Sequence, residues 1–130
     1  MSAKRPVHPA TYLCTASVIG GFVLQLVPVF DSPWTVMGVF YLSCAALGLD
    51  AVLVGVRSVR GEGPSIRNLS PGGWAVFAAM FFIVGAPAYY AGARRRARRG
   101  YEVPVDPVGF GTWLALGGLV LAGVTLLVVA

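Results

Sequence analysis

Uncharged apolar runs alternate with short polar stretches along the chain, and that pattern sets the first structural expectation. Residues 12–30 carry no charge and close on Asp31-Ser32-Pro33, residue types that favour a turn over a helix. The run 34–56 follows at once and stops at Arg57, so the short link makes these two runs an antiparallel hairpin. A third run, 72–93, starts behind Ser70-Pro71, a helix cap followed by proline at the first helical position. It passes a break at Gly85-Ala86-Pro87 and enters the basic stretch 94–99, which Gly100 is placed to end. Pro104 and Pro107 bias the next connection toward extended chain, and the run 108–130 is again uncharged.

Each run, as a helix, is long enough to cross the ~30 Å hydrocarbon core of a bilayer. In lipid, an uncharged segment of that length satisfies its backbone only as a helix. The expected fold is therefore all-α: a polytopic membrane protein, one domain over 1–130, built as a four-helix transmembrane bundle with spans near 12–30, 34–56, 72–93 and 108–130. A kinked or re-entrant third segment is the alternative to a straight span there.

Composition agrees with that picture. Hydrophobic residues make up 57% of the 130 and charged residues 12%, and the mean hydropathy is +0.77. A soluble domain carries about twice that charge, so lipid is the solvent over most of this chain. The start, MSAKRPVHPA, is basic and precedes an apolar run, but no small-x-small cleavage site follows the run, and a retained first span is expected.

Charge leaves the topology open. Basic residues number ten against five acidic ones. In a four-span arrangement Lys4, Arg5, Arg57, Arg60 and Arg67 fall on one side. Arg94, Arg95, Arg96, Arg98 and Arg99 fall on the other, so the tendency of basic loops to stay cytoplasmic returns a tie. Four crossings in one orientation is the leading resolution, since residues 72–93 measure about 33 Å as a straight helix. A re-entrant third segment with both flanks cytoplasmic is the second, and dual topology the third.

Asp50 is the one charge inside an apolar run, and an intramembrane carboxylate is costly enough to be a functional candidate by default. Gln25 in the first run is its best intramembrane partner; the bland role is a hydrogen bond between helices, the sharper one proton or cation coupling. Small residues recur at helical spacing on several faces, namely Ser17 and Gly21, Ser43 and Ala46, and Gly111, Ala115, Gly118 and Ala122. Close approach of backbones drives association in lipid, so these faces are expected to meet within the chain or between copies. Arg94, Arg95, Arg96, Arg98 and Arg99, with Tyr89, Tyr90 and Tyr101 nearby, suit the headgroup layer, where they would contact anionic lipid. Trp34, Trp74 and Trp113 near segment ends fit interfacial anchors. Nucleic-acid binding is not expected, because the basic run lacks a soluble platform.

Cys14 and Cys44 fall in the first two runs at depths that differ by roughly 9 Å, too far for a disulfide, and are read as packing residues. His8 is the single histidine and has no companions for a metal site. No cofactor, no metal and no enzymatic activity are expected.

Residues 68–96 carry one resemblance. Ser70-Pro71-x-x-Trp74, the apolar helix, Pro87-x-Tyr89 and the arginines that follow resemble a motif of small uncharacterised bacterial membrane proteins, which read Ser-Pro-x-x-Trp, then Phe-Pro-x-Tyr-Leu, then Arg or Lys. Ala86 stands where those have Phe, and Tyr90 where they have Leu. The resemblance implies a bacterial protein and supplies no activity. The expected function is a structural or accessory subunit of the inner (plasma) membrane, multi-pass, packing on itself as a homo-oligomer or on a larger membrane complex. The alternative is a small ion-coupled transporter or pore using Asp50.

Overall fold

The computed structural model describes residues 8–26, 32–61, 65, 68–100 and 104–129. The end of the first apolar run, the Asp31 turn, Lys4, Arg5, Arg67, residues 101–103 and Ala130 lie outside them. The described residues are all-helical apart from one isolated β-bridge. They form α1 (Ala10–Leu26), α2 (Pro33–Val54), α3 (Pro71–Met80), α4 (Phe82–Ala88), a π-helical turn (Tyr89–Ala93), α5 (Arg94–Arg99) and α6 (Phe110–Val129). Two of these, α2 with 22 residues and α6 with 20, are long and apolar enough to cross a membrane; α1 is apolar but shorter, at 17 residues.

Helix ends follow the local chemistry. Pro33 opens α2. Gly55, at φ 99°, closes it in the left-handed region that only glycine enters without strain, with its N–H on the Ala51 carbonyl at 3.1 Å. Ser70 caps α3 by accepting the Gly73 N–H at 3.1 Å. Gly100, at φ 89°, ends α5 as its position suggested.

Helix α2 is the central strut. The α1 helix packs antiparallel on it through small residues: a Cβ at Gly21 would collide with the Ser43 hydroxyl, which donates to the Val39 carbonyl at 2.9 Å and lies 3.4 Å from that of Ser17. On another face α6 runs antiparallel to α2. A Cβ at Gly38 would meet the Gly123 carbonyl at 2.8 Å, and one at Gly123 the Gly38 carbonyl at 2.9 Å, so both glycines are needed for the helices to come this close. The same strut carries α3, where a Cβ at Gly48 would lie 2.8 Å from that of Ala75.

The third apolar run is not one helix. It breaks at Phe81 (φ −139°, ψ 66°), not at Gly85-Ala86-Pro87, and α4 turns back along α3. A Cβ at Gly85 would come within 3.1 Å of the Ala78 Cα, and the rings of Trp74 and Tyr89 are 5.9 Å apart. Along an unbroken helix those two residues would be separated by about 22 Å. Phe81 keeps the turn bonded, donating to the Phe77 carbonyl at 2.7 Å and accepting from Val84 and Gly85 at 3.2 and 2.6 Å. Proline at 87 stays inside α4, and the wider π turn follows directly, where the Arg94 N–H reaches back to the Tyr89 carbonyl.

This folding back joins two connections that a straight third helix would hold apart. Val59 and Val105 form an antiparallel bridge. Asp106 N–H donates to the Ser58 carbonyl at 2.8 Å, Arg60 N–H to that of Pro104 at 3.2 Å, and the Arg60 guanidinium pairs with Asp106 at 3.1 Å. Asn68 exchanges two hydrogen bonds with the Val59 backbone, at 2.5 and 3.1 Å, and the Gly72 N–H bonds Thr112 Oγ1 at 3.2 Å. The start of α1, the end of α2, the start of α3, α5 and the start of α6 therefore share one end of the bundle.

Candidate functional site

Asp50 lies one turn before the end of α2, and its side chain is completely buried. A carboxylate in that position needs compensating donors. Both come from the returning arm of the hairpin: the Tyr89 hydroxyl donates to Asp50 Oδ2, and Arg94 Nε pairs with the same oxygen at 3.0 Å. The π turn makes this convergence possible. Residues five apart point about 140° from each other in an α-helix, whereas an i→i+5 turn brings them nearer one face. Tyr89 and Arg94 are the first residue of that turn and the residue that follows it.

Aromatic rings enclose the pair. Tyr89, itself without exposed surface, packs edge-on against Tyr90 at 5.0 Å, with Trp74 on another side at 5.9 Å. The Arg94 guanidinium lies 6.0 Å from the Tyr90 ring centre, within reach of a cation–π contact. Ala51, Ala75, Ala78 and Ala97, none of them exposed, are small enough to let the arms close around the carboxylate. Asp50 Oδ1 is buried and takes no hydrogen bond from the described residues.

Several expected roles are revised. Gln25 is not the partner of Asp50: with Ser17 level with Ser43 and Gly21 against Val39, antiparallel pairing puts Gln25 toward the other end of α2, and its amide donates to the Gly21 carbonyl of its own helix at 3.3 Å. Arg94 is turned inward to Asp50, with a side chain 17% exposed, and so differs from Arg95, Arg96 and Arg99, which are exposed; Arg98 is half-buried. Trp74 is buried in the hairpin and is no interfacial anchor, while Trp34 and Trp113 stay about half exposed. Among the small residues, Ser17, Gly21 and Ser43 meet across α1 and α2, and half-buried Ala46 packs against the core. Gly111 and Gly118 face open space, and Ala115 and Ala122 are half-buried; α6 docks instead through Thr112, Leu116 and Gly123. Cys14 and Cys44 are buried free thiols.

Sequence reasoning missed Tyr89 and Arg94 as partners of Asp50. The usable signal was a need: a lone buried carboxylate requires a cation, and the arginines at 94–99 come into reach only if the third segment doubles back. Among the described residues no group of histidine, cysteine and acidic side chains is arranged to hold a metal. Comparison with protein-family models, with curated proteins and with solved structures finds no match for this chain.

Proposed function

We propose that this chain is a structural or accessory protein of a bacterial inner membrane, crossing three times through α1, α2 and α6. Residues 71–93 enter and leave on one side as a re-entrant hairpin. The observation that carries the reading is the Asp50 cluster: the intramembrane carboxylate is spent on a tyrosine and an arginine of the hairpin, which makes it a packing pin. Helix α3, ten residues long, reaches about 15 Å, half the hydrocarbon thickness, before it reverses. With both flanks on one side, Arg57, Arg60 and Arg94–Arg99 gather at a single face, which the positive-inside tendency assigns to the cytoplasm.

The hairpin tip supports an accessory role. Met80, Phe81, Ile83 and Val84 are 56–81% exposed around a break in the helix. Non-helical backbone at membrane depth is tolerated where protein covers it, so another subunit or a second copy packs there. The exposed Gly111 and Gly118 offer a second surface for close approach.

The test compares wild type, Asp50→Asn and Asp50→Leu by size-exclusion chromatography and by proton and cation flux in proteoliposomes. The reading expects no flux from wild type and weaker assembly in the order wild type, Asn, Leu. Wild-type flux that Asn abolishes while assembly persists would make the chain an ion-coupled transporter or pore instead.

A further inference from the structure

We propose that the pocket between the starts of α3 and α6 holds the headgroup of a phosphatidylethanolamine, its ammonium on Asp106 and its phosphate on the hydroxyls of Ser70 and Thr112. This rests on the reading of the chain as a membrane protein whose connected loops lie in the headgroup layer. The pocket, about 480 Å³, is lined at the loop end by Ser58, Ser70, Asp106 and Thr112, and further along the two helices by Val76 and Ala115. Its floor is a contact between the helices themselves: a Cβ at Gly72 would lie 2.7 Å from the Thr112 Cα, and Thr112 is only 4% exposed. Polar and apolar parts therefore succeed each other along the helix axes, with Val76 six residues beyond the Ser70 cap, a rise of about 9 Å. That order suits an amphiphile whose tail runs along α3 and α6.

The polar end carries both signs. Ser70 Oγ and Thr112 Oγ1 each accept a backbone N–H, from Gly73 at 3.1 Å and from Gly72 at 3.2 Å. Each hydroxyl still has a proton to donate, and no described residue accepts it. Both α3 and α6 also bring their N-terminal, positive dipole ends here. In the same pocket Asp106 is half exposed and meets Arg60 through one Nε–Oδ1 contact of 3.1 Å, which leaves Oδ2 to accept. An anion alone would be repelled by that carboxylate, and a cation alone would leave the hydroxyl protons and dipole ends unmatched. A phosphate joined to a primary ammonium answers both, and its three N–H donors suit a carboxylate where a trimethylated headgroup offers none.

The experiment is native mass spectrometry of the detergent-purified protein loaded with phosphatidylethanolamine, phosphatidylcholine or phosphatidylglycerol of the same acyl chains. Wild type is expected to keep one phosphatidylethanolamine per chain under conditions that strip the other two. Asp106→Asn should erase that preference, weakening retention by roughly tenfold, the loss of one hydrogen bond to a charged group. Arg60→Gln breaks the same ion pair from outside the pocket lining and should leave the preference intact, which separates the carboxylate's contact with lipid from its part in joining the loops. Val76→Trp, which fills the apolar end from an exposed position, should abolish retention with Asp106 present. All three side chains are substantially exposed, so the variants fold, as melting curves check. Equal retention of the three lipids, equal loss in Asp106→Asn and Arg60→Gln, or displacement of the lipid by an equal concentration of soluble glycerophosphoethanolamine overturns the site. A protein released from membranes by alkaline carbonate would instead overturn the membrane reading on which the site rests.

Discussion

At the scale of single residues, the molecule turns on one oxygen. Asp50 Oδ2 receives both the Tyr89 hydroxyl and Arg94 Nε, so each partner's loss leaves a buried charge or dipole uncompensated. Removing one member of a buried ion pair costs about 3–5 kcal/mol. The Arg94 side chain is 17% exposed, and that partial exposure puts its truncation at the lower end. Arg94→Gln and Asp50→Leu should each lower the melting temperature sharply, whereas Asp50→Asn keeps an acceptor for Tyr89 and costs less. The double variant Asp50→Leu with Arg94→Gln should be less damaging than the sum of its parts; additive losses in a thermal double-mutant cycle would show that the pair does not act as a unit. Tyr89→Phe removes a hydrogen bond to a charged acceptor and should cost about 1.5–3 kcal/mol, read the same way. Asp50 was legible as the residue to watch because a lone carboxylate in an apolar run stands out by itself. Arg94 was not, since nothing in the run 94–99 distinguishes the inward arginine from its exposed neighbours until the π turn fixes its direction.

At the scale of helices, local rules were readable and register was not. The Ser70 cap and the Gly100 stop follow from neighbouring residues, and they form as that chemistry dictates, while α1 and α2 pack antiparallel. The break in the third segment did not follow the same logic. Pro87 carried the breaking signal, but it sits in the last turn of the short α4, where it forgoes a single backbone hydrogen bond, to the Ile83 carbonyl, and the π turn follows. Phe81, where the chain reverses, carries no turn signal, and its φ of −139° is open to any residue but proline. What holds the reversal is tertiary: Gly85 against Ala78, Trp74 against Tyr89, and Phe82 between Phe22 and Phe40. The small-residue stripes show the same division. Gly123 packs on Gly38 with no room for a methyl group, while Gly118 faces open space. Gly123→Ala should therefore force α6 off α2 and cost about 1–3 kcal/mol as overpacking. Gly118→Ala should raise the monomer's melting temperature slightly through the helix propensity it gains, and alter self-association, measured by analytical ultracentrifugation; equal destabilisation by both would contradict this packing of α6.

For the whole molecule, the two connections that flank the third apolar run meet at one end of the bundle. Residues 58–60 and 104–106 are bonded to each other, and bonded loops cannot lie on opposite faces of a bilayer. The exposed ion pair of Arg60 with Asp106 adds little alone; the backbone bonds and the Asp50 pin hold the arrangement. The most direct measurement is side-specific labelling of single cysteines by a membrane-impermeant maleimide, in a background with Cys14 and Cys44 replaced by alanine. Ser65→Cys precedes the hairpin, Gly109→Cys follows it, and Val129→Cys lies at the far end of α6; all three positions are exposed. The account predicts that Ser65→Cys and Gly109→Cys are labelled from the same, cytoplasmic side, and Val129→Cys from the other. Labelling of Ser65→Cys and Gly109→Cys from opposite sides would show that residues 71–93 cross the membrane and would contradict the re-entrant hairpin.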